Sequence, residues 1–469
     1  MTGFLISAAH KSSGKTITSI GLASVLNARG HKVQCFKKGP DYIDPKWLSL
    51  ASIRPCMNLD FYTTEHREIL QCFARYSEQA DIVIVEGNKG LYDGVDTGGS
   101  DSTAALAQLL GLPVVLVIDT QGITRGIAPL LLGYESFAHQ INIAGIILNN
   151  VASSRHEQKL RAAVERYTDL AVFGVMYRSP GLGVPERHLG LMPSNEVANA
   201  QQCVSRIADA VDEAVDIDAL IKRCDELNIP SALAAPGLPK PRSVPLDVTI
   251  GVARDSTFGF YYPDDIETFE RAGAHIECFD AINDTRLPEV DALFIGGGFP
   301  ETHISALHQN HAMRAAIRSF IDAGNPVYAE CGGLMYLCRS LCWNDESKEM
   351  VGAIPADVVM RKKPFGRGYV KLRKTINHPW GIATDDDGEI NAHEFHYSRL
   401  ENLSDVVEFA YDVIRGTGVD GQRDGIVYKN VLATYSHQRN VGSNTWVYDF
   451  VQYVRDIRSV KSIPALKAS

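Results

Sequence analysis

Short runs of branched apolar residues recur along the chain without the polar alternation of a half-exposed sheet. "GFLISA", "DIVIVEG", "PVVLVID" and "IAGIILNNV" fall in the first half, and "VTIGVARD", "DALFIGGG", "PVYAECGG" and "VLATYSH" in the second. Apolar runs of this length read as strands buried on both faces, as in parallel sheets. Helical patterns between them make right-handed strand–helix–strand crossovers. The pattern therefore predicts two α/β domains, each with an open, mostly parallel sheet. The rhythm breaks once. Residues 230–245, "PSALAAPGLPKPRSVP", hold five prolines in sixteen residues, and this stiff, donor-poor stretch is expected to be a linker. The domains are then expected at 1–229 and 246–456, with a frayed tail at 457–469.

Composition narrows the function classes. At 469 residues the chain exceeds one ordinary core, and 45% hydrophobic with 22% charged is a globular balance. A net charge of −10 argues against nucleic acid as a partner. No apolar run reaches the roughly 18 residues of a membrane helix, so no membrane partner is expected. The start, "MTGFLISAAHKSSGKT", has no signal-peptide pattern and enters a motif at once. Nine scattered cysteines match no zinc spacing, and a cytoplasmic location with reduced thiols is expected.

The first domain carries a phosphate loop. "AAHKSSGKT" follows the first strand and opens a helix, as a P-loop does, with Ala9 at the first glycine position. Gly14, Lys15 and Thr16 are the expected ATP-binding residues. The loop N–H groups and Lys15 would cradle phosphates, and the Thr16 hydroxyl would bind Mg²⁺. A magnesium site also needs carboxylates at strand ends, where ligands bind in open α/β sheets. Asp41 in "FKKGPDYIDP", Glu86 in "IVIVEGNKGLYDG" and Asp119 in "VLVIDTQG" all stand there. Asp41 could equally be a turn aspartate after Pro40, and both loops could be plain surface loops.

The second domain carries a thiol. "PVYAECGGLMYL" reads strand, sharp turn, helix, with Cys331 at the turn. Glycines after a nucleophile allow the tight turn, and the helix N–H groups favour a thiolate. A buried structural cysteine is the bland alternative. His437 in "ATYSH" also follows a strand and is the candidate base, although spacing alone does not single it out among 14 histidines. In "IGGGFPE" the glycines at a strand end could form an oxyanion hole. His393 and His396 in "AHEFHYS" have a metal-like spacing, but their surroundings read as a strand, where positions three apart face opposite sides. Neither a zinc site nor a catalytic role is expected of them.

"FKKGPDYIDP", "EGNKGLYDG", "PERHLGLMPSNE", "IGGGFPE", "ECGGLMYL", "AHEFHYS" and "ATYSH" occur in this order over nearly the whole chain. The sequence thereby resembles the cobyrinic acid a,c-diamide synthase family. The resemblance implies an N-terminal ATP-dependent amidoligase domain similar to dethiobiotin synthetase, and a C-terminal class I glutamine amidotransferase domain of the cobyrinate/cobyrate type. It implies Cys331 as glutaminase nucleophile and His437 as its base, in a dyad without the usual triad glutamate. Gly297 and Gly298 match the oxyanion hole, and Thr16, Asp41 and Glu86 match the Mg²⁺ ligands. Lys37 matches the lysine that faces a substrate carboxylate, with Tyr42 and Asp44 expected to bind substrate beside it.

The activity implied is amidation of the a and c acetate carboxylates of a tetrapyrrole. ATP activates each carboxylate as an acyl phosphate, and glutamine supplies ammonia. The tetrapyrrole expected is cobyrinate or sirohaem. Cobyrinate-specific members of the family carry valine where this chain has Lys38, and Val-Met where it has Asn88 and Lys89. The added positive charge is either drift at solvated positions or a mark of a different macrocycle. Two other classes stay open: a P-loop assembly ATPase, and a non-catalytic tetrapyrrole carrier. A homodimer is an expectation that no motif carries.

Overall fold

The first apolar run sets the architecture of the N-terminal half. Along the strand Thr2–Ala8, Phe4 and Ile6 enter one core with Leu22 and Leu26 of the helix Lys15–Ala28. Leu5, between them, enters a second core with Leu106 and Leu110 of the helix Thr103–Leu110. Alternate side chains point to opposite faces, and helices cover both, so every position of the run must be apolar. Each such buried side chain stabilises by about 1.5–3 kcal/mol.

A computed structural model describes residues 1–138, 140–179, 181–187, 190–227, 244–381 and 388–462. The chain divides into the units Met1–Pro239 and Lys240–Ser469. Residues 230–243 of the expected linker lie outside the described residues, as do 188–189 of "PERHLGLMPSNE". The expected tail begins too early: the helix Trp446–Ser462 continues past 456, with Trp446, Phe450, Val451 and Val454 buried in a core. Residues 463–469 lie outside the described residues. Among the described residues, no helix is long and apolar enough to cross a membrane.

The first unit holds a seven-stranded sheet. From edge to edge it runs Met57–Leu59, Val33–Lys38, Ile82–Glu86, Thr2–Ala8, Val114–Asp119, Ile143–Val151, Ala171–Tyr177, with every neighbour parallel. Register pairs Ile6 with Glu86 and Lys37 with Glu86, so the P-loop, Lys37 and Glu86 share the carboxyl end of three adjacent strands.

The second unit departs from the expectation of a mostly parallel sheet. Five strands, Ala274–Phe279, Val248–Ala253, Ala292–Ile295, Val327–Glu330 and Val431–Thr434, are parallel neighbours. The other four, Arg423–Tyr428, Glu408–Arg415, Gly366–Lys374 and Glu389–His396, continue the sheet antiparallel. Their sequences explain the change. In Gly366–Lys374, partly exposed Lys371 and exposed Arg373 alternate with buried Val370 and Leu372, the pattern of a strand with one wet face.

Candidate active site

The P-loop is held open by one glycine and one asparagine. Gly14 has φ 98°, and a Cβ there would lie 2.2 Å from Asn149 Nδ2. Only glycine takes that conformation cheaply and leaves that space. Asn149 Nδ2 in turn donates to the Ser13 carbonyl at 2.9 Å, fixing the loop to the strand Ile143–Val151. Lys15 Nζ donates to the Lys89 carbonyl at 2.6 Å. Burial and the neighbouring Lys37 push the Lys15 ammonium down to about 8.

A compact charge cluster lies beside it. Lys37 Nζ is 2.5 Å from both Asp44 Oδ2 and Glu86 Oε1, and 3.9 Å from Asp41 Oδ2. Burial alone would lower Lys37, but Asp44, Glu86 and Asp41 outweigh it and hold Lys37 well above its ordinary value. The Thr16 hydroxyl donates to Glu86 Oε1 at 3.1 Å and reaches Asp44 Oδ2 at 3.4 Å. Asp41 is placed differently. Its Oδ1 accepts from the N–H groups of Ile43 and Asp44, capping the helix Ile43–Ser52. Burial and then Asp44 push the Asp41 carboxyl up to about 7. Tyr42 is buried at the N-cap of the same helix. Asp119 stands apart and accepts from its own turn, at the Gln121 N–H.

The structure thus brings Lys15, Thr16, Lys37, Asp44 and Glu86 together. Glu86 Oε2 is buried without a hydrogen-bond partner. Two carboxylates, one with an unused oxygen, and a threonine hydroxyl form an all-oxygen donor set that suits a hard divalent cation. Lys38 is buried and lowered by burial, facing Asp101 and Asp60, so it is not the solvated position that drift would favour. Lys89 is exposed.

In the second unit, Cys331 sits on a strained turn between the strand Val327–Glu330 and the helix Gly332–Leu337. Its φ is 46° and ψ −101°, a conformation that side chains rarely adopt and that marks nucleophile elbows. The turn is tied down by Cys331 N–H to the Thr434 carbonyl at 2.7 Å. The glycines after it are required by contact. A Cβ on Gly333 would lie 2.0 Å from the Ile295 carbonyl oxygen, which belongs to a central strand. Gly333→Ala is therefore expected to displace the elbow, with a lower melting temperature and the glutamine hydrolysis that the resemblance implies reduced about 10²-fold, since a misplacement of about 1 Å costs that much. Thermal melting and ammonia release measured on one preparation check both effects.

His437 follows the strand Val431–Thr434 and interacts with the Cys331 thiol, whose Sγ also reaches the Phe395 carbonyl at 3.9 Å. Its backbone exchanges bonds with His393 at 2.8 and 3.3 Å, and the two rings stack with centroids 4.9 Å apart. Burial holds His393 well below its ordinary value, with His437 and Arg439 adding to the effect, so it is a neutral ring. His396 lies apart and stacks on Tyr435 at 3.8 Å. His437 Nδ1 faces Glu330 Oε2 at 3.3 Å. A Cβ on Gly297 would meet His437 Cε1 at 2.5 Å, and one on Gly332 would meet the Gly298 backbone. Cys331, His437, Gly297 and Gly298 therefore converge on one spot. The sequence reading left Glu330 unremarked, and it expected no catalytic role of His393. A charged residue closing an otherwise apolar strand was a usable sign for the first, since a buried carboxylate needs a partner.

Burial alone would push His437 down, but its hydrogen bonds to Cys331 and Glu330 outweigh burial and hold it up at about 10. The imidazolium persists below that pH and is lost above it. If this pair hydrolyses glutamine, as the resemblance implies, departing ammonia needs that proton, and the alkaline limb of kcat/KM is expected near pH 10, not near the ordinary 6.5. A pH series of ammonia release from glutamine checks the position of the limb.

Comparison with known proteins follows the same division. A family model described as the CobQ/CobB/MinD/ParA nucleotide binding domain matches residues 5–191. Another, the CobB/CobQ-like glutamine amidotransferase domain, matches residues 249–444. A Magnetococcus marinus protein named cobyrinate a,c-diamide synthase is 44% identical over 454 residues, covering 96% of this chain and 97% of that one. Proteins of the same name from Methanosarcina acetivorans and Archaeoglobus fulgidus are each 39% identical. They cover 93% and 94% of this chain, and 92% and 94% of their own lengths.

Proposed function

The chain belongs to the cobyrinate a,c-diamide synthase family, and from that premise we propose that it amidates the a and c acetate carboxylates of cobyrinate, with ATP consumed and glutamine as nitrogen donor. It is a glutamine-dependent carbon–nitrogen ligase, with a nucleotide-binding P-loop domain ahead of a glutamine amidotransferase domain. The observation that carries the proposal is the pairing, in one chain, of a phosphate loop beside a buried carboxylate cluster with a strained Cys331 turned toward His437.

A carboxylate resists ammonia because its carbon is electron-rich and oxide is a poor leaving group. In the proposed reaction a carboxylate oxygen of the tetrapyrrole attacks the γ-phosphorus of ATP, and ADP leaves. Ammonia then adds to the acyl carbon and phosphate leaves. The loop N–H groups and the Lys15 ammonium bind the phosphates and stabilise charge on the transferring group. Thr16, Asp44 and Glu86 are the residues that would hold Mg²⁺, while Asp41 caps its helix. When bound, that ion neutralises phosphate charge. Lys37, ion-paired with Asp44, and Tyr42, at the start of the helix that carries Asp44, are the residues proposed to take the macrocycle carboxylates.

In the second domain the Cys331 sulfur attacks the glutamine amide carbon. Backbone N–H groups at Gly297 and Gly298 stabilise the oxyanion, and His437 protonates departing ammonia. Water, with His437 as base, releases glutamate from the thioester. Sirohaem is a second substrate reading, favoured by the buried cation Lys38 where cobyrinate-specific members carry valine.

Mass spectrometry after parallel incubations with Mg·ATP, glutamine and either cobyrinate or sirohaem tests the substrate. The diamide of cobyrinate is the expected product. Conversion of sirohaem alone, with cobyrinate untouched, overturns the assignment.

A further inference from the structure

The nucleophile strand Val327–Glu330 ends in a carboxylate that is 2% exposed, one residue before Cys331. Its Oε1 accepts from the Tyr328 hydroxyl at 2.8 Å and from the Gln438 N–H at 3.0 Å. Its Oε2 faces His437 Nδ1 at 3.3 Å. Among the described residues no lysine or arginine ion-pairs with it, and His437 is the one ionisable base it meets. A buried carboxylate left unpaired is expensive, and removing one partner of a buried pair is strongly destabilising. The fold therefore holds this charge where only an imidazolium can balance it. The neighbouring ring cannot substitute, since His393 is neutral and its Nδ1 faces the Tyr262 hydroxyl at 3.3 Å. Arg439, two residues beyond His437, is engaged by Asp264 at 2.7 Å.

We infer that Glu330 is the positioning carboxylate of the glutaminase: it accepts the Nδ1 proton of His437 and fixes the tautomer whose Nε2 serves Cys331. The inference rests on the reading of Cys331 as nucleophile and His437 as base. In the step concerned, the proton that has left Sγ is held on Nε2 of the imidazolium and passes to the departing ammonia, the Nδ1–H stays in place, and Glu330 remains a carboxylate opposite the ring. The carboxylate thus comes from the strand that carries the nucleophile, and the expected two-residue machinery becomes three. Because Glu330 also anchors the Gln438 backbone, it couples the elbow to the turn that carries His437.

The informative variant is Glu330→Gln in the full chain. Glutamine is isosteric, and its carbonyl can keep the bonds from Tyr328 and Gln438. Its NH₂ would then face Nδ1, so that Nδ1 becomes an acceptor and Nε2 carries the proton. That is the wrong tautomer for taking a proton from Cys331. The expected result is a fall in glutaminase kcat of about 10²–10⁴-fold, the range seen when a triad acid is made neutral, with KM for glutamine nearly unchanged. The S-alkylation rate of Cys331 by iodoacetamide at neutral pH falls with it, and ammonium-dependent amidation in the same preparation stays native. Native kcat or a native alkylation rate in Glu330→Gln overturns the inference. If Glu330→Gln also loses the ammonium route, Glu330→Asp decides: a retained ammonium route with partly restored glutamine turnover supports the inference, and native glutamine turnover overturns it. Cys331→Ser and His437→Asn run alongside. If both still hydrolyse glutamine, the underlying glutaminase assignment fails. If both are inactive while Glu330→Gln is not, only the inference about Glu330 fails.

Discussion

Cys331→Ser is expected to lose glutamine-dependent amidation by at least about 10⁴-fold, as other enzymes do when their nucleophile is removed, while amidation from added ammonium salt survives. The loss follows from the thiol's position. Cys331 sits on a strained turn and interacts with His437. A serine hydroxyl would occupy the same place but does not ionise to an anion that the imidazolium can hold. The survival follows from the fold. Among the described residues, the cores around the P-loop sheet consist of side chains of the first unit, which carries the phosphate loop. Product analysis with each nitrogen source checks both halves. Glutamine use by the serine variant removes Cys331 from the mechanism, and loss of the ammonium route removes the independence of the two chemistries.

Lys15→Ala is expected to abolish both routes, by about 10³-fold or more, because a charge clamp on a transferring phosphoryl group contributes on that scale. In the structure the ammonium group is poised and not spent. It donates to the Lys89 carbonyl, and burial and then Lys37 hold it down near 8 against the opposing pull of Glu86, Asp44 and Asp93. Its removal relieves that repulsion, so the variant should stay folded. Glutamine hydrolysis by the same variant should continue, since Cys331 and His437 lie in the other unit. Amidation that persists from either nitrogen source would take the P-loop out of the reaction.

Much of this was written in the sequence, and the exceptions have physical causes. Strands buried on both faces carry an uninterrupted apolar code, so "GFLISA" and "DIVIVEG" announced their sheet. The antiparallel half of the second sheet carries a weaker code. In Glu389–His396 the buried positions include His393, Glu394 and His396, polar residues that a pattern of apolar positions does not count. The loop "GPDYIDP" offered two aspartates three residues apart. Asp41 lies just before the helix Ile43–Ser52 and caps it, while Asp44 in its first turn meets Thr16 and Lys37. Spacing does not say which of two acids at a helix start turns inward, because that depends on where the cap falls. The sharp turn at Cys331 was legible because an apolar strand followed by two glycines predicts one. The role of Glu330 was not, because His437, 107 residues away in sequence, is its partner.

The most direct measurement follows the nitrogen. Incubation with cobyrinate, Mg·ATP and glutamine labelled with ¹⁵N in its side-chain amide should give a diamide labelled at both new amides. Cys331→Ser, supplied with the same labelled glutamine and unlabelled ammonium, should give diamide without label. Label in the product of the serine variant, or unlabelled diamide from the native chain given labelled glutamine alone, would contradict the account.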